Sequence, residues 1–263
     1  MSNNIFSTQR FLLLFKQHFI HNAQFLMLSV VAYVGVIFIV LSIGQVSNDM
    51  QPHQLENFQG FLIAFVTVFG ILYVGYSFPA FRSKESTIHY LMLPASALEK
   101  FLFEFVSRIA MMLVMLPLLY WITFNVQGYF FTIFTEAGFD PIGIKYVVAL
   151  DDDVTSDYVV LVYSMITGGV LFVLSLAFAG AAIFTRQPLV KSLFAVAVVV
   201  MFFVGYSYIV IEHLGLGKFN PPERMLLVPL EEDHALKTLM AAFFVGAAVM
   251  LFVAFRKLKE REV

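Results

Sequence analysis

Long charge-free runs of apolar residues alternate with short charged segments along this chain, and that alternation predicts its elements. Six runs stand out, with cores near residues 25–44, 60–78, 109–125, 158–184, 192–211 and 238–255. Each approaches the ~20 residues a helix needs to cross ~30 Å of hydrocarbon. A lysine or aspartate at mid-bilayer costs about 2.5–3.5 kcal/mol, so runs of this length without charge point to lipid surroundings. The expected fold is all-α: a polytopic membrane protein with six transmembrane helices in a single transmembrane domain over 1–263. The first run is too long for the apolar core of a signal peptide and no small-residue cleavage site follows it, so it reads as a retained span.

Composition agrees. The chain is 60% hydrophobic and 13% charged, with 31 phenylalanines; soluble domains carry about 25% charge. The distribution of cations orients the spans. Arg10, Lys16, Arg82, Lys84, Lys100, Arg108, Arg186, Lys191, Arg256, Lys257, Lys259 and Arg261 fall on one side of a six-span arrangement. Lys145, Lys218, Arg224 and Lys237 fall on the other, among Asp140, Asp151, Asp152, Asp153, Asp157, Glu223, Glu231, Glu232 and other acids. By the positive-inside rule both termini are expected in the cytoplasm. The near-neutral total, −2, says nothing about partners.

Two polar stretches break the pattern. Before the first span, residues 6–22 mix phenylalanine and leucine with Arg10, Lys16, His18 and His21. Phe11, Leu14, Phe15, His18 and Phe19 recur at helical spacing, which predicts an amphipathic lead-in lying in the membrane interface or else extending span 1. Between spans 2 and 3, residues 81–108 carry Arg82, Lys84, Glu85, Glu99, Lys100, Glu104 and Arg108. Pro94 divides this loop, because proline removes a backbone donor and biases Leu93 away from helix. Upstream, Ser83 to Leu91 suits a short helix with Ile88, Leu91 and Met92 on one side. Downstream, Ser96-Ala97-Leu98-Glu99 has the form of a capping box, so span 3 should begin near Ala97. Running on to Phe124, it would be ~42 Å long at ~1.5 Å per residue. Glu104 lies four residues from both Lys100 and Arg108, an ion-pair ladder suited to keeping protruding turns in water.

With no cysteine, disulfides, thiolate metal sites and cysteine nucleophiles are excluded. The nearest approach to a P-loop is Gly217-Lys218-Phe219, with Glu212 where its first glycine should stand. Glu231-Glu232 resembles the glutamate pair of certain intramembrane proteases, without the arginine that should follow. No zinc-protease or serine-hydrolase motif occurs. Asp151-Asp152-Asp153 lacks the glycine and closing glutamate of a calcium loop, and His18, His21 and His89 suit polar anchors at interfaces better than ligands. No catalytic, cofactor-binding or metal-binding residue is expected. The span cores are free of charge, which argues against ion-coupled transport. Val74-Gly75-Tyr76-Ser77 does recur as Val204-Gly205-Tyr206-Ser207, a weak hint of an inverted repeat.

Six spans, a basic lead-in and an enlarged first cytoplasmic loop resemble the permease subunits of type 2 ABC exporters. Within the loop, Tyr90-Leu91-Met92-Leu93-Pro94-Ala95-Ser96 followed by Glu99-Lys100-Phe101 resembles a group of bacterial ABC permease-like membrane proteins. The resemblance implies that Ser83 through Leu93 form a coupling helix seated in a separate ATPase subunit, which would bind ATP and magnesium. Residues 6–22 would be the interfacial elbow helix. Contact with the ATPase would fall to Arg82, Ser83, Lys84, Glu85, Ile88, His89, Leu91, Met92, Glu99 and Lys100. Ser96, Glu99, Lys100, Glu104 and Arg108 would supply the cap and ion pairs. Two permeases would pair with two ATPases in the bacterial inner membrane, with lipids and no nucleic acid as further surroundings. A non-transporting membrane scaffold and a secondary transporter built on the repeat are the competing expectations.

Overall fold

The computed structural model describes residues 6–47, 55–135, 138–147, 157–208 and 232–262. Among the described residues every regular element is helical: α1 (Thr8–Ser47), α2 (Leu55–Val74), α3 (Lys84–Met92), α4 (Ala97–Phe105), α5 (Met111–Thr132), α6 (Asp157–Ile183), α7 (Pro188–Tyr208) and α8 (Glu232–Glu262). A π-helical turn, Val106–Ala110, joins α4 to α5, so Ala97–Thr132 is one rod of 36 residues. Among the described residues five helices are long and apolar enough to cross a membrane: α1, α2, the α4–α5 rod, α6 and α8. α7 covers the first part of the fifth expected span and is not among these five; the last residues of that span lie outside those described, as do the aspartate triplet and most of segment 218–233.

The lead-in departs from a separate elbow helix. It is continuous with the first span, from Thr8 to Ser47. No proline or glycine interrupts residues 8–34, so nothing in the backbone stops the helix. Its aromatic face is the one the spacing predicted, and it is covered by protein: the Phe15 and His18 rings lie 5.0 and 5.3 Å from that of Phe103 on α4. α2, in turn, ends at Val74, short of the expected Phe78. Gly75 turns the chain, and a Cβ there would stand 2.6 Å from Cδ1 of Leu189. The second Val-Gly-Tyr-Ser lies inside α7. The two copies share letters and not conformation, which removes the structural basis for a repeat.

Helix pairing follows chain direction. α1 runs parallel to the α4–α5 rod, with Arg10 beside Glu99, Tyr33 donating to the Leu116 carbonyl at 3.1 Å and Gln127 donating to Gln45 at 2.9 Å. α2 runs antiparallel to that rod, since Tyr120 donates to the Phe58 carbonyl while Phe78 meets Glu104. α6 and α8 form a parallel pair in which Gly168 faces Phe244 and Gly246 faces Phe172. Lipid offers little drive for helix association, so close approach through small residues replaces it. The core on this side combines Leu174, Ala177, Phe178, Ala181 and Ala182 with Ala254 and Leu258. The α6–α7 hairpin depends on Gly180, where a Cβ would come within 2.4 Å of the Ser192 Cβ and 3.6 Å of its Cα. Gly180→Val is expected to force these helices apart at a cost of about 1–3 kcal/mol, read as a lower melting temperature in detergent.

Candidate functional site

Both described termini and the α3 region converge at one end of the bundle. Phe101 packs against Phe255 at 5.4 Å, and Arg261 stands 4.5 Å over the Phe81 ring. After α2, Ser77 bonds the Val74 carbonyl at 2.6 Å, and the chain turns through Phe78 in the left-handed region, φ 52° and ψ 49°. For a bulky residue this conformation costs roughly 1–2 kcal/mol. Phe78 nevertheless holds it because its ring is buried against Phe178 (5.0 Å) and Phe81 (5.9 Å). Glu104 also accepts its backbone N–H at 3.4 Å. Phe78→Gly is therefore expected to be about 1 kcal/mol more stable than Phe78→Ala, since both lose the ring and only glycine relaxes the backbone. Chemical denaturation of the two purified variants decides it.

α3 begins where Ser83 accepts the Ser86 N–H at 3.2 Å. The capping expected at Ser96 is present in full: Ser96 accepts the Glu99 N–H at 3.2 Å, and Glu99 accepts the Ser96 N–H at 2.8 Å. Of the residues expected to face a partner, Ser83, Lys84, Glu85, Ile88, His89 and Met92 are exposed. Ile88 retains 53% and Met92 77% of its surface. Lys84, Ile88 and Met92 share one stripe at intervals of four, bordered by Glu85 and His89. Arg82 is half-buried, its guanidinium 3.2 Å over the Tyr76 ring. The side chain of Leu91 lies outside those described.

Glu99 and Lys100 require a correction. They are 0% and 2% exposed, so their side chains form no part of an open docking surface. Glu99 accepts hydrogen bonds from the Ser7 backbone and from Arg10, the latter at 3.1 Å. Lys100 lies 5.4 Å from the centre of the Tyr90 ring. The expected water-facing ladder is also buried, with Glu104 at 4% and Arg108 at 5%. Arg108 Nε lies 3.6 Å from the Glu104 carboxylate, and its guanidinium stands 4.8 Å over the Tyr73 ring. The cause is coverage: α1 lies along one side of α4, α8 along another, and the turn after α2 closes the rest. The π-helical turn, with Ser107, Arg108 and Ile109 buried, carries Arg108 inward at this level.

Both ends of the α3 excursion are thus fastened by glutamates of α4. Glu104 holds the exit of α2 and Glu99 holds the entry to α4 together with the start of α1. The cap at Ser96 has a local signal, but the tie of Glu104 to Phe78 and that of Glu99 to the start of α1 have none. Arg10 and the capping-box glutamate are each visible in the sequence, but they meet across 89 positions. Nothing in Val106–Ala110 announces a π-helical turn. Among the described residues no group of three His, Asp or Glu side chains could hold a metal ion.

Among the described residues, five membrane-length apolar helices, a capped polar excursion between two of them and no strand mark a helical integral membrane protein. Compared with known proteins, the chain matches no family model, no curated protein and no solved structure.

Proposed function

We propose that this chain is the membrane-spanning subunit of an ATP-driven exporter of the ABC type, with α7 as its sixth span and both termini in the cytoplasm. α3 is the coupling helix, seated in a separate ATPase that binds ATP and magnesium, and two such permeases assemble with two ATPases in a bacterial inner membrane. The observation that carries this reading is mechanical. α3 presents an exposed stripe of Lys84, Ile88 and Met92 with Glu85 and His89 beside it. The chain on either side of it is clamped by buried glutamates to the helices that cross the membrane. A push on α3 is thereby delivered to α1, α2 and the α4–α5 rod together, which a loosely tethered loop would not do. The resemblance of Tyr90–Ser96 and Glu99–Phe101 to ABC permease-like proteins points the same way.

The test is gentle detergent purification of the tagged chain, with the eluate assayed for ATP hydrolysis and its partners identified by mass spectrometry. Glu85→Arg/Ile88→Asp serves as the surface variant, since a change at Glu99 would break the helix cap instead of the docking face. An ATPase that elutes with the wild type and is lost with the variant is the expected result. Elution alone, or with partners lacking ATPase activity and indifferent to α3, would overturn the reading in favour of a membrane scaffold.

A further inference from the structure

We propose that a cleft between α2, α5 and α6 holds one acyl chain of an anionic membrane phospholipid, with its phosphate at Lys145. The cleft has a volume of about 460 Å³. That lies within the ~300–1,000 Å³ of small-molecule sites and far above the ~30 Å³ of one water. Its walls are Leu62 and Ile63 of α2, Leu113, Val114 and Pro117 of α5, and Ile166 of α6. Val114 and Leu118 stand at an exposed lip.

Polarity is gathered mainly at one end. There Tyr163 donates to the Gln59 carboxamide at 3.2 Å. The short helical turn Ile144–Val147 lies across the same level and contributes Tyr146. Beside it the Lys145 ammonium stands 5.2 Å from the Tyr146 ring centre. Three membrane-length helices form the cleft, so its apolar depth opens toward hydrocarbon, where water finds too few polar partners to stay. An acyl chain meets that surface without desolvation cost. Gln59, Tyr163 and Tyr146 suit the ester and glycerol oxygens that follow, and Lys145 complements a phosphate beyond them. This occupant does not depend on the ATPase, so the cleft and the exporter reading stand or fall separately.

The test uses the full chain in nanodiscs of phosphatidylcholine. These are doped with phosphatidylglycerol or phosphatidylcholine carrying a photoreactive diazirine near the acyl terminus. Cross-linked peptides are mapped by mass spectrometry. The expected map concentrates label at the deep end of the cleft, on Ile63, Leu113, Val114 and Thr167, about tenfold above the lipid-facing positions Val68, Leu72 and Phe130. Ile63→Trp and Val114→Trp, made separately, should each remove most of that label, while Val68→Trp on the outer face of α2 leaves it unchanged. The phosphatidylglycerol probe should label more than the phosphatidylcholine probe, and Lys145→Gln should erase the difference. Label spread evenly along α2 and α5 in the wild type would overturn the site, whether or not the tryptophan variants fold. Equal labelling by the two probes in the wild type would overturn the headgroup assignment.

Discussion

Replacing Glu104 by alanine is expected to destabilise the protein by about 3–5 kcal/mol, the usual consequence of stranding one member of a buried ion pair. Arg108 is 5% exposed, and its guanidinium would be left beside the Tyr73 ring and a cavity. The Phe78 N–H would also lose its acceptor while the backbone remained in a costly conformation. The loss should appear as a fall in thermal midpoint and in the yield of monodisperse protein. Glu104→Leu/Arg108→Met provides the control, because an apolar pair of similar volume often restores stability. If Glu104→Ala unfolds within about 1 kcal/mol of wild type, the pair is energetically a surface pair and the clamp at α2 is weak.

Glu99→Ala should rank second, at about 2–4 kcal/mol. It removes the return half of the capping box and a charged acceptor shared by Ser7, Ser96 and Arg10. The effect should be local as well as global. Hydrogen exchange over residues 8–20 should accelerate as the start of α1 comes away from α4, while α6 and α8 keep their protection. Glu99→Gln should lose less, because an amide oxygen can still complete the box and Arg10, 38% exposed, keeps its access to water. Protection over residues 8–20 that is unchanged in Glu99→Ala would show that aromatic packing of Phe15 and His18 on Phe103 holds α1 unaided.

The helices were legible in the sequence because charge is scarce there for a reason that acts residue by residue. A single lysine at mid-bilayer is costly wherever it falls, so its absence marks a span without knowledge of the neighbours. The Ser96–Glu99 cap and the helix after Ser83 were readable on the same local grounds. Burial was not. Lys100, Glu104 and Arg108 at intervals of four look the same on a wet helix face as on a covered one. What decides between them is the passage of α1, α8 and the turn after Val74 over that face, and those elements come from distant parts of the chain. The continuity of α1 was open for a related reason. Its basic and aromatic residues suit a headgroup layer as well as they suit the flank of α4, and only the presence of Phe103 separates the two. The cleft is more distant still from any pattern, since it is made by what three helices fail to fill.

The parallel pairing of α1 with the α4–α5 rod limits how this protein can move. α1 has 40 residues, roughly 60 Å at ~1.5 Å per residue. It is pinned near its start by Arg10 to Glu99 and near its end by Gln45 to Gln127. Sliding lengthwise by one turn, ~5.4 Å, would break both pins at once. No proline falls along its length, and its first glycine is Gly35. The compliant direction is sideways, and the rod itself can bend only where its regular hydrogen bonding is interrupted, at the π-helical turn Val106–Ala110 and at Pro117 within α5.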